Sequence, residues 1–460
     1  MDAGAAGPDH PLRGDAGDDG WSVFAIASAD PASWTIVAGD AAEPPPGASD
    51  RAAARRDPVP GLPPALAATR PRRTDSLPAG LPPGPAPGPA PGVPAPPFRR
   101  GWIGVLGYEL GRTIEPAARH AAVRPDPAPR LALARAEGAI LHHRDTGTWW
   151  SAGDHGVVAG LLGELAAAAD PIRLPRLGGF SASLDAEAHE AAVARALGFV
   201  AAGDIFQVNL ARMLAADFEG SARGLARRLL RASAARRGAV IEVPGGPTIV
   251  SASPELFLEV RSADGRVRTR PIKGTRPLDR PAAELRDAAK DRAELAMIVD
   301  LMRNDLGRVA ELGSVRVTEP RRIVELATVR HAVAEVQATL AEGRTTADLL
   351  AATFPCGSIT GCPKIRAMQV IEILEPVSRG PYCGAVGCFD DDGDVRLNVA
   401  IRTATVDGER PGADFDALRG RLRYGAGGGI VADSAPAAEL AECRDKTRVL
   451  ERALGYRIDA

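Results

Sequence analysis

The sequence predicts an α+β fold with antiparallel sheets. Strand-like and helix-like stretches come in blocks and do not follow the strict strand–helix alternation of parallel sheets. The clearest hairpin joins Cys383–Phe389 to Val395–Val406 through Asp391-Asp392-Gly393, a sequence that favours a tight turn. With 45% hydrophobic residues in a chain of 460, we expect one large core or two coupled domains.

Composition argues against several classes of function. The formal net charge is −2, aromatic residues make up 4%, and no long basic run occurs, so we expect no nucleic acid partner. No apolar run is long enough to span a bilayer, and the N-terminus lacks a secretory signal. The five cysteines are sparse and odd in number, which is typical of reduced thiols. We therefore expect a cytoplasmic protein with no membrane partner.

The N-terminal part divides into three stretches. Residues 1–20 are predicted to be a disordered tail, and residues 21–170 an N-terminal region of short strands followed by a helix. A Pro-rich excursion at about 43–97 interrupts this region, because its Pro-Gly-Pro-Ala repeats can neither pack nor pair in a sheet. The predicted elements are strands in Trp21–Ala38, Gly101–Glu109, Leu131–Ala134 and Ala139–His143, and a helix near Val157–Ala169.

Residues 186–455 are predicted to form a second region with longer elements. Apolar residues recur with helical spacing through Pro281–Val309. The other predicted helices are Ala186–Ala201, Thr346–Ala352, Cys362–Leu374 and Ala435–Leu454. The predicted strands are Thr248–Ala252, Glu255–Val260, Gly313–Val317, Arg322–Leu326 and Arg421–Tyr424, besides the hairpin.

Two acidic pairs stand at i, i+3 spacing on predicted helices: Asp291 with Glu294, and Glu439 with Glu442. This spacing places both carboxylates of a pair on one helix face. If the two helices face each other, four carboxylates converge and need a cation, and hard oxygen ligands suit Mg²⁺. Either pair alone is also what a solvated helix face looks like, and spacing does not decide between these readings.

Lys273 occupies an inward-looking position in the stretch PIKGT. A buried amine loses part of its preference for charge and becomes a nucleophile, although a surface lysine in a turn gives the same pattern. Arg402 lies in a largely apolar strand and needs an anionic partner, from the fold or from a ligand. His331 fits a packed core histidine.

Two further segments could bind an anion. The glycines of Gly425–Gly429 let backbone N–H groups approach a negative charge, or form a tight turn. The hydroxyl-rich turn Ser358–Thr360 precedes Lys364 at the start of a helix, and offers donors to an anion or caps the helix.

Seven motifs in this order resemble the chorismate-binding family. They are DIFQVNLAR, SASPELFL, RPIKGTRP, KDRAELAMIVDLMRNDLGRV, FPCGSITGCPKIRAM, LNVAIRTA and YGAGGGIVADSAPAAELAECRDK, within Ala186–Leu454. GWIGVLGYELGR resembles the N-terminal region of the same family. The resemblance implies large antiparallel sheets packed as a sandwich with helices outside, as in anthranilate synthase component I.

The resemblance also implies roles for the candidate residues. Mg²⁺ would bind among Asp291, Glu294, Glu439 and Glu442 and hold the ring carboxylate of chorismate. Glu255 would be the acid that helps the 4-hydroxyl group to leave. The implied substrate-binding residues are Gln207, Thr275, His331, Ser358, Thr360, Arg402, Gly427, Gly428, Gly429 and Lys446.

Two positions distinguish branches of the family. Members that add water carry a lysine base where this chain has Gln207, and glutamine cannot deprotonate water at useful pH. Anthranilate synthases usually carry alanine where this chain has Lys273, and PIKGT resembles aminodeoxychorismate synthase component I. In that branch the lysine is thought to attack C2 of chorismate before ammonia adds at C4. Anthranilate synthase component I, and a relative that binds ligand without catalysis, are the alternatives.

The resemblance implies partners as well. No segment resembles a glutamine amidotransferase domain, so we expect a separate glutaminase subunit to supply ammonia. In relatives the N-terminal region carries a tryptophan pocket. The sequence leaves open whether this chain binds tryptophan there.

Overall fold

The described residues of the computed structural model form three antiparallel sheets with helices around them. The predicted tail at 1–20 and most of the excursion at about 43–97 lie outside the described residues. The described ranges are 21–25, 34–37, 59, 61–67, 98–119, 124, 128–143, 148–167, 174–233, 235, 237–243, 245–325, 329–410 and 417–458.

The strands are labelled β1 to β21 in chain order. They are β1 Trp21–Ala25, β2 Trp34–Val37, β3 Gly101–Leu106, β4 Leu131–Ala136, β5 Gly138–His143, β6 Thr148–Gly153, β7 Arg176–Leu177, β8 Ser181–Ala182, β9 Gln207–Gly220, β10 Ala239–Glu242, β11 Thr248–Ser251, β12 Leu256–Arg261, β13 Arg266–Arg270, β14 Ile272–Pro277, β15 Arg316–Glu325, β16 Val329–Thr339, β17 Gly361–Cys362, β18 Ala385–Asp390, β19 Val395–Val399, β20 Thr403–Glu409 and β21 Leu418–Ile430.

The helices are labelled in the same way. They are α1 Pro64–Ala67, α2 Leu110–Ile114, α3 His155–Ala167, α4 Ala186–Ala201, α5 Ala222–Ser233, α6 Ala282–Arg286, α7 Ala289–Gly307, α8 Thr346–Thr353, α9 Lys364–Leu374 and α10 Pro436–Leu454. Short 3₁₀ turns add Pro116–Ala118 and Gly357–Ile359.

Two large sheets dominate the fold. One has eight strands in the order β10-β11-β20-β21-β9-β17, with β7 and β8 also paired to β9. The other has ten strands in the order β14-β16-β13-β12-β19-β18-β3-β4-β2, with β15 paired to β16. One apolar core cluster takes side chains from both sheets and from α4, α7, α8 and α9, and a second packs α5 and α10 on the eight-stranded sheet. The α+β class and the large antiparallel sheets are therefore confirmed.

The N-terminal region completes the ten-stranded sheet. Strand β3 pairs along its whole length with β18, from Leu106 opposite Ala385 to Gly101 opposite Asp390. The buried residues Val59, Leu62 and Leu66 join the same core, which shows that part of the excursion packs against the protein. A third sheet consists of β1, β5 and β6, which all belong to the N-terminal region of the sequence.

Three predicted strands are wrong in extent. The expected strand Val395–Val406 is two strands in different sheets, because the backbone turns between Val399 and Thr403. Arg402 sits in this turn with φ 51°, a left-handed conformation that non-glycine residues rarely adopt. The expected strands Gly313–Val317 and Arg322–Leu326 are one strand, β15, with two irregularities in its register.

Two further boundaries differ from the prediction. The helix expected over Pro281–Val309 is the pair α6 and α7. The glycine run Gly425–Gly429 is neither a turn nor the end of a strand, because β21 continues through it to Ile430. No helix in the described ranges is long and apolar enough to cross a membrane. The five cysteines are all free thiols, as expected.

Candidate active site

The glycine run of β21 lies at the centre of the candidate site. β21 pairs with β9 as far as Ile430, but with β20 only as far as Tyr424. The opposite edge of Gly425–Ile430 therefore has no strand partner among the described strands. In an antiparallel pair every second backbone N–H on such an edge points away from the partner strand. Only alternate residues among Gly427, Gly428 and Gly429 can therefore offer a free N–H group, and binding of an anion by this run stays a prediction.

The absence of side chains on this strand makes room for groups from other elements. A Cβ atom on Gly429 would lie 2.8 Å from Lys273 Nζ and 3.0 Å from Gln207 Nε2. A Cβ atom on Gly428 would lie 3.1 Å from Glu439 Oε2. Contacts under about 3 Å are closer than van der Waals packing allows. Glycine is therefore required where the site residues approach β21.

Lys273 joins the two large sheets at this point. It stands on β14 of the ten-stranded sheet, while Gln207 begins β9 of the eight-stranded sheet. Its Nζ forms an ion pair of 2.6 Å with Oε2 of Glu294 on α7. The side chain is 17% exposed, so the amine faces the protein interior, as predicted. The reading as a surface lysine in a turn is wrong.

Three of the four predicted metal ligands approach one another. Glu294 and Glu439, on α7 and α10, are both buried and share the ammonium of Lys290, at 3.9 Å and 3.4 Å. Glu442 follows one turn after Glu439 and pairs with Lys446 at 2.8 Å. Lys446 holds the pKa of Glu442 at about 2.

The fourth predicted ligand, Asp291, is engaged elsewhere. It pairs with Arg276 of β14 at 3.0 Å, and lies 2.9 Å from the place of a Cβ atom on Gly274. Lys446 also donates to the carbonyl oxygen of Gly427 at 2.5 Å. Burial opposes its charge, but Glu442 outweighs this effect and raises the pKa of Lys446. Lys446 is therefore a fixed positive charge beside the glycine strand.

The chemistry of these acids fits a hard cation. In the described ranges, no three His, Cys, Asp or Glu side chains are gathered closely enough to hold a metal ion. However, Glu439 Oε2 is buried and has no hydrogen-bond partner, which is costly for a carboxylate. Glu439 Oε1 accepts from Ser434 at 2.6 Å, and this bond orients the carboxylate. Oxygen donors of this kind are those that Mg²⁺ prefers.

Glu255 is a buried acid at the start of β12. Its side chain accepts a hydrogen bond of 2.7 Å from Ser358 in the short 3₁₀ turn before β17. Burial raises the pKa of Glu255 to about 7, although Ser358 and the charge of Lys273 partly oppose this rise. A carboxylic acid that stays partly protonated near pH 7 can donate a proton to a leaving group.

Two of the predicted substrate-binding residues form a hydrogen-bonded pair. Thr275 and Nδ1 of His331 lie 2.8 Å apart on the neighbouring strands β14 and β16. Burial, together with the nearby charge of Arg402, lowers the pKa of His331 to about 3. The imidazole is therefore neutral, and its Nε2 atom is buried without a hydrogen bond.

Arg402 occupies the turn where the chain passes from β19 to β20. Its guanidinium makes no hydrogen bond or ion pair within the part of the chain that the structure describes. Burial lowers the pKa of Arg402, and Tyr424 and Glu255 act against this effect. A half-buried cation of this kind needs an anion, which the fold does not supply.

One predicted residue faces away from the site, and two site residues escaped the prediction. Thr360 donates to the carbonyl oxygens of Cys356 and Gly357, so its hydroxyl braces its own turn. The ring of Tyr382 covers Gly425, where a Cβ atom would lie 2.3 Å from it. Lys290 bridges the acids. No local pattern marks Tyr382, because its contact depends on β21, which lies elsewhere in the chain. Lys290 belongs to a quoted motif and pairs with Glu294 at i, i+4, but its contact with Glu439 depends on a second helix.

The chain has an enzyme site, because a buried acid, an inward-facing amine and paired carboxylates meet on a strand without side chains. The chain belongs to the family of chorismate binding enzymes, whose family model matches residues 61–452. It is accordingly an enzyme that acts on chorismate.

Relatives in two branches are similar to this chain. The aminodeoxychorismate synthase component 1 of Klebsiella aerogenes is 39% identical over 372 residues, which cover 78% of this chain and 78% of the relative. The anthranilate synthase component 1 of Streptomyces coelicolor is 37% identical over 387 residues, covering 77% and 73%. The crystal structure of anthranilate synthase component I from Streptococcus pneumoniae superposes with a TM-score of 0.70 at 24% identity, over 94% of this chain and 91% of that one. This last likeness supports the fold alone.

Proposed function

We propose that the protein is the chorismate-aminating component of aminodeoxychorismate synthase. It converts chorismate and ammonia to 4-amino-4-deoxychorismate, the precursor of 4-aminobenzoate and folate. The observation that carries this proposal is the position of Lys273. Its amine lies in the site, 2.6 Å from Glu294 and next to Gln207 across Gly429. Lys273 would be the nucleophile there, and Gln207, which stands where members that add water carry a lysine base, cannot deprotonate water.

The first step is attack by the neutral amine of Lys273 on C2 of chorismate. The C2–N bond forms, the two ring double bonds shift from C1=C2 and C5=C6 to C1=C6 and C4=C5, and the C4–O bond breaks. Glu255 donates its proton to the departing hydroxyl group, which leaves as water. Glu294 lies where it can accept the proton that Lys273 must lose before attack, since an ammonium has no lone pair.

The second step reverses the shift. Ammonia attacks C4, both ring double bonds return to C1=C2 and C5=C6, and the C2–N bond breaks, so that Lys273 leaves as an amine. The proton lost from the new C4 ammonium returns to Glu255 and restores the acid. Splitting one difficult substitution into two easier ones is the advantage of covalent catalysis. The sum is chorismate plus ammonia giving the amine and water.

Charged groups around β21 would orient the substrate. Arg402, Lys446 and the free N–H groups of Gly427–Gly429 would bind the two carboxylates of chorismate, and neutral His331 would lie beside the ring. Glu294 and Glu439, with Asp291 and Glu442 nearby, would hold Mg²⁺, which when bound supplies positive charge for the ring carboxylate.

Ammonia would come from a separate glutaminase subunit. A relative with the printed name aminodeoxychorismate synthase component 1 supports a second component. Glutamine should then support turnover only when that subunit is added, whereas ammonium salts should support it in the chain alone. Turnover of glutamine by the chain alone would contradict this proposal. Binding of tryptophan to the N-terminal region and a cytoplasmic location stay predictions.

Anthranilate synthase component I is the second candidate, because relatives with that name match a similar share of the chain. Product identification separates the two. Purified protein is incubated with chorismate, MgCl₂ and ammonium chloride, and the products are resolved by liquid chromatography and mass spectrometry. We expect 4-amino-4-deoxychorismate with its enolpyruvyl group retained. Anthranilate with an equal amount of pyruvate would overturn the proposal in favour of the second candidate.

A further inference from the structure

Lysine is rare in this chain and is confined to the site. Of the 56 basic residues only four are lysines: Lys273, Lys290, Lys364 and Lys446. Three of them contact the predicted metal-binding acids, and the fourth anchors the turn before α9 through Asp305. Elsewhere the chain uses arginine for positive charge. Lysine differs from arginine as a compact, readily hydrated point charge without a planar fork. Each lysine therefore indicates a place where a compact point charge is used and a planar guanidinium group is not.

Lys290 contacts the predicted metal-binding acids but has no role in the mechanism above. It stands in the first turn of α7, and its Nζ lies 3.4 Å from Glu439 Oε1 and 3.9 Å from Glu294 Oε1. The two acids are 4% and 7% exposed, whereas the Lys290 side chain is 46% exposed. The ammonium thus reaches from solvent to a pair of buried carboxylates on two helices.

Lys290 differs from its two neighbours in how it is held. Lys446 is fixed by the carbonyl oxygen of Gly427 as well as by Glu442. Lys273 stands on a strand and is largely buried. Among the residues that the structure describes, Lys290 contacts acid oxygens alone. A half-exposed lysine can withdraw into water at small cost, because its ammonium is strongly hydrated.

We propose that Lys290 is an exchangeable counter-charge that neutralises Glu294 and Glu439 until Mg²⁺ replaces it. This inference rests on the Mg²⁺ site of the proposed function. Two buried carboxylates repel each other and need a cation, so Lys290 stabilises the metal-free protein. The same ammonium competes for the oxygens that the ion requires. Lys290 therefore sets the affinity for Mg²⁺, and an arginine there would bind the acids as a fork and resist displacement.

Titration with MgCl₂ alone tests this inference. Wild type, Lys290→Met, Lys290→Arg and a control, Arg292→Met, are compared by isothermal titration calorimetry at constant ionic strength. Arg292 is exposed on the same helix and does not contact the two acids. We expect Lys290→Met to bind Mg²⁺ about tenfold more tightly and Lys290→Arg about tenfold more weakly. The control should bind within about twofold of wild type.

Thermal denaturation gives a second readout that does not depend on catalysis. Metal-free Lys290→Met should melt below wild type, because two acids lose a counter-charge, and saturating Mg²⁺ should raise its melting temperature more than that of wild type. If Lys290→Met does not fold, Lys290→Gln replaces it. Equal affinities across the Lys290 variants would overturn the inference and leave the metal site standing. Absence of Mg²⁺ binding to every protein would overturn the metal site itself.

Discussion

Two charge clusters lie beside β9 and β21, and they use the same kinds of charge differently. The arginine cluster consists of Arg379 and Glu375, and the lysine cluster of Lys273, Lys290, Glu294 and Glu439. Arg379 and Glu375 pair at 2.5 Å and 2.9 Å, and their side chains are at most 4% exposed. In the lysine cluster two acid oxygens, Oε2 of Glu294 and Oε2 of Glu439, have no hydrogen bond, although the first lies in the ion pair with Lys273, and one lysine is half-exposed.

The difference lies in how completely the polar groups are satisfied. Arg379 also donates to the carbonyl oxygens of Ile359 and Asn209, and Glu375 accepts from the backbone of Ala211. The arginine cluster therefore ties the Ser358 turn to β9 and leaves no group for a ligand. The lysine cluster keeps groups that can exchange partners. The arginine cluster, whose polar groups all have partners, supports the structure. The lysine cluster, whose polar groups are incompletely satisfied, leaves room for a substrate and an ion.

The largest effect should come from the acid beside the lysine cluster. Glu255→Gln removes the proton donor but keeps the size of the side chain, so we expect kcat to fall about 10²- to 10⁴-fold. In wild type, activity at constant free ammonia should decline above pH 7, because the pKa of Glu255 is about 7. Steady-state assays across pH check both points. Exposed Glu219→Gln is the control, and an unchanged kcat in Glu255→Gln would contradict the role of the acid.

The arginine cluster should respond in stability. Arg379→Met leaves Glu375 buried without its counter-charge, so we expect a loss of about 3–5 kcal/mol in the free energy of unfolding. Urea denaturation measures it. Arg303→Ala removes an exposed pair with Asp300 and should cost at most about 1 kcal/mol. Equal losses in the two variants would show that the arginine cluster does not hold this part of the fold.

A smaller effect should follow from the hydrogen bond between the Ser358 turn and Glu255. Ser358→Ala removes a donor that favours the charged form, so the pKa of Glu255 should rise above its value of about 7. The decline in activity should therefore move to higher pH than in wild type. A pH–rate profile identical to that of wild type would contradict this link.

The smallest effect concerns stability against pH. Burial raises the pKa of Glu255 from its ordinary value of 4.5 to about 7, so the folded state binds the proton more tightly than the unfolded state. This contribution to stability is fully present below pH 4.5 and is lost as pH rises through about 7. Chemical denaturation at several pH values should show a weaker decline over this window in Glu255→Gln. The same slope in both proteins would contradict it.

Sequence patterns predicted the elements whose signals lie within their own segment of the chain. Helix α4 has the predicted bounds Ala186–Ala201, because its apolar spacing and its N-cap, Asp185, both lie in the segment itself. The passage of the chain from one sheet to the other at Arg402 could not be predicted. A non-glycine residue with positive φ leaves no recognisable sequence pattern. Continuity of the glycine run in β21 depends on pairing with β9, which lies some two hundred residues earlier.

The residues of the candidate site divide in the same way, into those with a signal in the sequence and those that depend on distant contacts. Local patterns supplied Lys273 and the acid pairs, family resemblance supplied Glu255, and the structure places Lys273 and Glu294 in contact. Tyr382 was missed because no pattern marks it, and Lys290 because its contact with Glu439 depends on a helix far away in the chain. The arginine cluster was missed too, because Glu375 and Arg379 at i, i+4 look like an ordinary pair at a helix end.

Formation of 4-amino-4-deoxychorismate by Lys273→Ala, measured against wild type with chorismate, Mg²⁺ and ammonium, tests the central claim most directly. Lys273→Arg is assayed beside it, because arginine keeps the positive charge beside Glu294 but is not a usable nucleophile. We expect both variants to lose at least about a hundredfold in rate, since neither can form the bond to C2. A wild-type rate of product formation by Lys273→Ala would contradict the role of Lys273 as nucleophile.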